Sequence, residues 1–84
     1  MLYPCCYILF SFKLNKYYVG STPDIERRIE EHNRGKEKFT RTGTPWKLVH
    51  IEKFESLADA RNRERYIKKM KSRKFIEALI NSAK

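Results

Sequence analysis

The sequence predicts an α+β domain in which a small three-stranded antiparallel sheet is flanked by helices, in the order β-β-α-β-α-α. Three short segments rich in aromatic and β-branched residues predict the strands, and three segments with helical spacing of apolar residues predict the helices. The chain has 84 residues, the length of one small domain. No repeat or linker divides it, so residues 1–84 are expected to form a single domain.

The first two strands are predicted close together at the start of the chain. Cys5 to Phe12 and Lys16 to Ser21 are joined by Lys13-Leu14-Asn15, a link of hairpin length. After a polar, basic loop from Gly35 to Pro45, Trp46 to Phe54 resumes the strand pattern. The first segment is apolar, but it lacks a basic start and is too short to cross a bilayer, so we expect a strand and no membrane association.

The first helix has recognisable residues at both ends. Thr22 is predicted to cap it, Pro23 to occupy its first position, and Gly35 to close it. On this helix Ile25 and Ile29 define the buried stripe.

The last two helices begin at serines. Ser56, with Asp59 three residues later, resembles a capping box for a helix from Leu57 to about Met70. Ser72 is predicted to cap a last helix. The buried face of that helix would contain Phe75, Ile76, Leu79 and Ile80.

The chain is strongly basic, with 19 Lys and Arg residues against 10 Asp and Glu residues and a formal charge of +9. Such an excess favours an anionic partner, most often nucleic acid. The alternatives are a solvated basic surface without a partner and a membrane-surface protein, although the basic residues are not collected on one amphipathic helix. The residues expected to contact a nucleic-acid backbone are Lys36, Lys38, Arg41, Lys68, Lys69, Lys71, Arg73 and Lys74.

The two cysteines, Cys5 and Cys6, are adjacent and therefore point to opposite faces of a strand. With no second cysteine pair and no histidine cluster at metal spacing, they are predicted to be free thiols. Free thiols indicate a reducing compartment, so we expect a cytoplasmic protein.

Arg28 and His32 are candidate site residues because of their position on the first helix. At about 100° per residue, Arg28 falls about 60° from Ile25, and His32 lies at the edge of the buried stripe, whereas Arg27 points toward water. A guanidinium held at the border of the core can meet a phosphate with paired hydrogen bonds. The alternative is that Arg28 stacks on a tyrosine or pairs with a carboxylate.

Glu64 lies on the inward face of the second helix, which Leu57, Ala60 and Ile67 define. Glutamate is seldom buried unless it is paired or binds a metal. A single carboxylate near a phosphate can hold Mg²⁺ with several waters kept in its shell. The alternative is an ion pair with Arg28 or another basic residue.

Tyr7 and Tyr18 lie on consecutive predicted strands and are expected side by side across the pair. Aromatic strand pairs most often serve packing, which is the alternative here. Trp46 is predicted to anchor the core, and the other three tyrosines to be structural or on the surface.

Five segments of the chain occur in an order and spacing that resemble the GIY-YIG endonuclease superfamily, in its small stand-alone type. They are Cys5-Cys6-Tyr7, Tyr18-Val19-Gly20, the helix from Asp24 to Ile29 followed by His32, Pro45 to Val49, and Ala60 to Glu64. Ten residues separate the two motif tyrosines. The likeness covers nearly the whole chain.

The resemblance implies a metal-dependent endonuclease that hydrolyses DNA phosphodiester bonds with one Mg²⁺ or Mn²⁺ ion held by Glu64. By position, Tyr7 matches the tyrosine that activates the attacking water, and Tyr18 the one that helps to position the phosphate. Arg28, rather than Arg27, matches the family's arginine before a hydrophobic residue, which would offset charge on the phosphate, and His32 matches a histidine of some members. With no attached reader domain, we expect recognition of DNA structure rather than sequence, in repair or processing.

Two departures from the pattern keep alternatives open. Cysteines replace the Gly and Ile of the first motif, and Asn81 lies too near the end to match the late asparagine of many catalytic members. The alternatives are a catalytically inactive nucleic-acid-binding module and a subunit of a repair complex or RNA-associated assembly. An RNA substrate and a protein partner that supplies specificity also stay open.

Overall fold

The computed structural model describes residues 2–36, 38 and 40–82, and it confirms the α+β class and the element order. The elements are β1 (Cys5–Ser11), β2 (Lys16–Thr22), α1 (Ile25–Asn33), β3 (Trp46–Lys53), α2 (Leu57–Met70) and α3 (Arg73–Ser82), with one turn of 3₁₀-helix at Arg41–Gly43. The sheet has the order β2-β1-β3, with both pairs antiparallel. Among the described residues, no helix is both long and apolar enough to cross a membrane.

The central strand β1 is covered on both faces. Alternate residues of a strand face opposite sides, so Cys5, Tyr7 and Leu9 pack with Trp46 against α1, whereas Cys6 and Ile8 pack against α2 and α3. The predicted burial of Trp46 and the opposite orientation of the two free cysteines are therefore confirmed. Since helices cover both faces, β1 has no alternation between apolar and polar residues from Cys5 to Phe10, and only its last residue, Ser11, is polar.

The start of α1 differs from the prediction. Asp24, not Thr22, is the N-cap, and its carboxylate accepts a hydrogen bond from the amide of Arg27 at 3.2 Å. Thr22 belongs to β2, and its hydroxyl accepts from the amide of Asp24 at 3.1 Å. Thr22 thus fixes the residue that caps the helix, and Pro23 precedes the cap. At the other end, Gly35 has a positive φ of 76° just beyond the helix, as predicted for a closing glycine.

The other two helices begin where the serines predicted. Ser56 accepts from the amide of Asp59 at 3.1 Å, and Ser72 accepts from the amide of Phe75 at 3.0 Å. Between α2 and α3 the chain turns sharply at Lys71, which has left-handed backbone angles (φ 47°, ψ 41°). Left-handed angles crowd the Cβ atom of an L-residue, so Lys71 is a strained position that glycine would occupy without strain.

Replacing Lys71 with glycine should therefore stabilise the protein. We expect Lys71→Gly to raise the free energy of unfolding by about 0.5–1 kcal/mol, measured by urea denaturation. Lys69→Gly removes the same charge from inside α2 and is the matched control, expected to lower that free energy by up to about 1 kcal/mol. Equal destabilisation by both substitutions would contradict the account of the turn.

Candidate active site

Tyr7 lies at the centre of the site that the sequence predicted. Its ring is on the α1 face of β1 and is only 1% exposed. The Tyr7 hydroxyl oxygen lies 3.1 Å from Nε2 of His32, and Nε of Arg28 donates to it at 3.4 Å. Three of the five predicted catalytic residues thus meet at one phenol oxygen.

Gly20 makes room for that phenol. It pairs directly with Tyr7 across the β1–β2 ladder, on the same face of the sheet. A Cβ atom at Gly20 would lie 2.5 Å from the Tyr7 oxygen and 2.6 Å from Cζ, which is far closer than carbon atoms pack. The Tyr18-Val19-Gly20 motif contained this glycine, but its role depends on strand register, which the motif alone does not reveal.

His32 lies deeper than the helical angles predicted. It is fully buried rather than at the edge of the stripe. Its Nδ1 lies 2.8 Å from the hydroxyl of Thr40, and the carbonyl of Thr40 accepts from the indole of Trp46 at 2.6 Å. Thr40 is itself buried, and it comes from the loop between α1 and β3, where no sequence pattern marked it as a site residue.

The protonation of this group follows from its surroundings. Burial raises the pKa of Tyr7, the hydrogen bond from Arg28 opposes that rise, and the nearby Tyr18 and Glu64 add to it. Tyr7 is therefore a neutral phenol at physiological pH. The Tyr7–His32 and His32–Thr40 contacts allow the phenol to donate to Nε2 of His32 while Nδ1 carries the hydrogen that bonds Thr40.

Tyr18 lies diagonally to Tyr7 and not beside it. The register pairs Tyr18 with Leu9, so the two tyrosines are offset by two positions on one face. Their ring centroids are 6.4 Å apart, and the ring of Tyr18 lies 4.9 Å from that of His32 and 6.2 Å from that of Trp46. Tyr18 therefore packs on the imidazole and helps to hold it in place.

Arg28 connects the buried group with the surface. Its side chain is 26% exposed, against 76% for Arg27, as the helical angles predicted. It donates to Glu31 at 3.2 Å, and that hydrogen bond lowers the pKa of Glu31. Arg28 and Glu31 line a surface cleft of about 320 Å³ that extends to Ser21.

Glu64 is mostly buried, as the sequence predicted. Both of its carboxylate oxygens have hydrogen-bond partners. Its side chain is 20% exposed. One carboxylate oxygen accepts from the hydroxyl of Ser21 at 2.5 Å, and the other accepts from the ammonium of Lys68 at 2.6 Å. The ion-pair alternative therefore holds, with Lys68 as the partner instead of Arg28. Ser21 escaped the sequence analysis because its contact with Glu64 spans 43 positions.

The two halves of the site meet at β2. Gly20 and Ser21 are consecutive, so one faces α1 and the other faces α2. Gly20 accommodates Tyr7 on the α1 face, and Ser21 binds Glu64 on the α2 face. Ser21 also lines both the Arg28 cleft and a second depression of about 430 Å³ over Glu64. Since β2 is an edge strand, the two depressions adjoin around the edge of the sheet.

The described residues that line the depression over Glu64 offer a metal ion a single carboxylate, that of Glu64. In the described part of the chain, no group of three or more His, Cys, Asp or Glu side chains is placed to hold a metal. Glu64 has a cation on one oxygen and a hydroxyl on the other. A single carboxylate is enough for Mg²⁺, which is commonly bound through one or two carboxylates with waters and phosphate oxygens completing its shell, provided that Lys68 releases or shares its oxygen.

The basic residues predicted to contact nucleic acid have varied surroundings. Lys36, Lys38, Lys69, Lys71 and Lys74 are exposed. Arg41 donates to the carbonyl of Gly35, and Arg73 donates to Asn15. Two arginines that the sequence analysis did not single out, Arg61 and Arg65, line the depression over Glu64. Arg61 lies three residues before Glu64 on α2, a helical spacing that could have marked it as a neighbour of the carboxylate.

Comparisons with known proteins agree with this geometry. The model of the GIY-YIG catalytic domain matches residues 3–76. The chain is 49% identical over 55 residues to a UPF0213 protein of Syntrophus aciditrophicus, a match that covers 63% of each chain. It is 48% identical over 64 residues to a UPF0213 protein of Halobacterium salinarum, covering 75% of this chain and 82% of that one.

A solved structure is also similar. The solution NMR structure of a UPF0213 protein of Bacillus halodurans superposes with a TM-score of 0.59 at 36% identity, covering 96% of this chain and 84% of that one. The match to the family model, over residues 3–76, includes the segments that carry Tyr7, Arg28 and Glu64. The chain spans under two thirds of the Syntrophus relative's length.

The close approach of Gly20 and Tyr7 can be tested by a double-mutant cycle. Gly20→Ala should lower the free energy of unfolding by about 1–3 kcal/mol, because the added methyl group overpacks a buried ring. In a Tyr7→Leu background the same substitution should cost much less. Thermal or urea unfolding of the four proteins measures the difference, and an equal cost in both backgrounds would show that Tyr7 does not require this glycine.

Proposed function

Because this chain belongs to the GIY-YIG catalytic domain family, we propose that it is a DNA endonuclease that hydrolyses phosphodiester bonds with one Mg²⁺ or Mn²⁺ ion at Glu64. The observation that carries the proposal is the position of the two candidate groups around Ser21. The Tyr7, Arg28 and His32 group lies on one side of β2 and Glu64 on the other, and the two surface depressions share Ser21. A phosphate at Ser21 would be within reach of both.

Tyr7 and His32 supply a path for the proton of the attacking water. A water in the Arg28 cleft would lose its proton to the Tyr7 oxygen while Tyr7 passes its own proton to Nε2 of His32. Burial raises the pKa of Tyr7 and keeps the phenol protonated at neutral pH, so its phenolate is not available as a base, whereas an imidazole accepts protons in this range. The hydroxide oxygen would bond to phosphorus, the bond to one sugar oxygen would break, and that oxygen would take a proton from solvent.

Arg28 would stabilise the transition state by charge. It is already oriented by its hydrogen bonds to Tyr7 and Glu31, so little reorganisation is needed when negative charge builds on the phosphate. Tyr18, packed on His32, would hold the imidazole and help to position phosphate and nucleophile. These roles match those of the corresponding residues in the family.

Glu64 would hold the metal ion. When bound, such an ion polarises a phosphate oxygen and stabilises the leaving oxygen. The Ser21 hydroxyl orients the carboxylate, and Lys68 occupies the place of a cation on it. Lys68 has to release that oxygen or share it, and its free ammonium is then available to a neighbouring phosphate.

The substrate would be recognised by backbone charge and shape. Lysines and arginines contact phosphates without reading sequence, and Arg61 and Arg65 extend the basic surface over Glu64. We therefore propose recognition of DNA structure in repair or processing, with RNA as the variant substrate to test. A cytoplasmic location agrees with the two free, buried thiols, and a protein partner would add specificity.

A nucleic-acid-binding module without catalysis is the second candidate. The observation that favours it is the short ion pair between Lys68 and Glu64, which neutralises the carboxylate in the absence of a metal. Asn81, the residue nearest to a late asparagine, lines a different depression with Tyr17 and Glu77. Asn81 therefore does not line the depression over Glu64, where it could act as the late asparagine of the family.

Cleavage of labelled plain, nicked, flapped and branched duplexes, with Mg²⁺ or EDTA, tests the proposal. Glu64→Gln keeps an acceptor for Ser21 but removes the charge, and Tyr7→Phe keeps the ring on Gly20 but removes the hydroxyl. Each should reduce cleavage about 100-fold or more. Glu55→Gln, at an exposed glutamate in the turn before α2, is the matched control and should cleave like the unsubstituted protein.

Two outcomes would contradict the proposal in different ways. Undiminished cleavage by Glu64→Gln would overturn the metal site. Tight, salt-sensitive binding without metal-dependent products on any of the DNA or matched RNA substrates would replace the nuclease with the binding module.

A further inference from the structure

A groove between β2 and the α2–α3 turn lies beside the active site and shares Tyr18 and Lys68 with it. We call it the β2–α3 groove, and its volume is about 350 Å³. This is within the range of sites that hold small organic groups. Its floor is apolar, formed by the buried Val19 and Ile67 and the half-buried Ile76.

The rim of the groove is cationic. Lys68, Lys71 and Arg73 lie along it, in a chain whose formal charge is +9. An apolar floor under three cations matches an anionic ligand with a flat apolar part. Among the described residues that line the groove, none is acidic, but two of the rim cations pair with carboxylates just outside it, Lys68 with Glu64 and Arg73 with Glu77 at 3.2 Å.

Arg73 is held rigidly at this rim. Two of its guanidinium nitrogens donate to Asn15, one to the backbone carbonyl and one to the side-chain oxygen, each at 2.8 Å. The guanidinium also lies 5.1 Å from the centroid of the Tyr17 ring. A cation that is already ordered loses little conformational entropy when it meets an anion.

The groove is continuous with the active site through two residues. Tyr18 lines the groove and also packs on His32. Lys68 lines the groove, pairs with Glu64 at 2.6 Å and lies 5.8 Å from the centroid of the Tyr18 ring. Only the side chain of Lys68 therefore lies between a ligand in the groove and the Glu64 carboxylate proposed to hold the metal.

We propose that the β2–α3 groove binds one unpaired nucleotide of the substrate strand, next to the phosphate that is cut. Its base would lie on the apolar floor beside Tyr18, and its phosphate at the rim of Lys68, Lys71 and Arg73. A base in a duplex is paired and stacked and cannot enter such a groove, so the substrate needs an unpaired nucleotide at this place, as in a flap, branch or single strand. The position of this nucleotide next to the cleaved phosphate rests on the proposed function, whereas the binding of an unpaired nucleotide in the groove does not.

Binding without cleavage tests this inference directly. Fluorescence anisotropy in EDTA measures the affinity of the intact protein for flapped duplexes in which one abasic site is moved along the single-stranded flap, because the junction fixes the register of the strand on the protein. A flapped duplex with its base removed at the groove position should bind at least about fivefold more weakly, as expected for loss of one stacked base. The other positions should change affinity much less. Equal effects at all positions would overturn the inference.

Lys71 provides the matching protein variant. Lys71→Gly removes a rim cation and relieves a strained backbone, so a loss of binding cannot be attributed to unfolding. It should weaken oligonucleotide binding severalfold and reduce the salt dependence by about one phosphate contact, and Lys71→Arg should restore both. Lys47→Gln removes an exposed charge from β3 and serves as the control. Equal weakening by Lys47→Gln and Lys71→Gly would overturn the role of the rim.

The inference and the proposed function fail separately. A position-dependent abasic effect without any cleavage would leave the groove standing and remove the nuclease. Metal-dependent cleavage with no abasic effect would keep the nuclease and overturn the groove as a nucleotide site. Stronger competition by an acidic peptide than by the oligonucleotide would also overturn the groove as a nucleotide site.

Discussion

The hydrogen bond between the buried hydroxyl of Tyr7 and the buried imidazole of His32 is the interaction on which the site depends. Tyr7 is on the central strand and His32 on the first helix, so the bond fixes α1 on the sheet and aims Arg28 at the same oxygen. Thr40 holds the other nitrogen of the imidazole from the following loop. Buried polar groups without partners are costly, and this contact gives both the hydroxyl and the imidazole a partner.

The edge strand β2 joins this buried pair to the carboxylate on the opposite face of the sheet. Its consecutive residues Gly20 and Ser21 serve opposite faces, the first by having no side chain and the second by its hydroxyl. If β2 were a central strand, neighbouring strands on both sides would prevent a ligand from contacting both faces of the sheet. At an edge, a phosphate can lie across the end of the sheet and meet groups from both sides, which explains why a fold of this size can assemble a two-sided site.

Much of the fold was predictable because it depends on local patterns. Helix angles separated Arg28 from Arg27, and the serines before α2 and α3 marked both helix starts. The apolar spacing around Glu64 correctly placed a carboxylate close to the core. The predicted N-cap of α1 was wrong because Thr22 and Asp24, two residues apart, can both cap a helix. In the structure β2 extends to Thr22, and Asp24 is the cap.

The parts that could not be predicted are contacts between residues far apart in the sequence. Lys68 neutralises Glu64 from the same helix, four residues away. Ser21 orients the carboxylate from β2, and no periodicity in the sequence reveals that contact. Thr40 lies in an irregular loop, where neither strand nor helix spacing applies. The depth of His32 likewise follows from this loop, which covers α1 on the side that helical angles alone leave at the border of the core.

The central claim is that neutral Tyr7 donates its proton to a neutral His32, as a proton path for hydrolysis requires. Long-range ¹H–¹⁵N correlation spectra of His32 at and above neutral pH test it most directly. The account predicts a protonated Nδ1 and an unprotonated Nε2, with the Nε2 resonance shifted by Tyr7→Phe but not by Tyr66→Phe, at a half-exposed tyrosine on α2. A hydrogen on Nε2, or an Nε2 resonance unchanged in Tyr7→Phe, would contradict it.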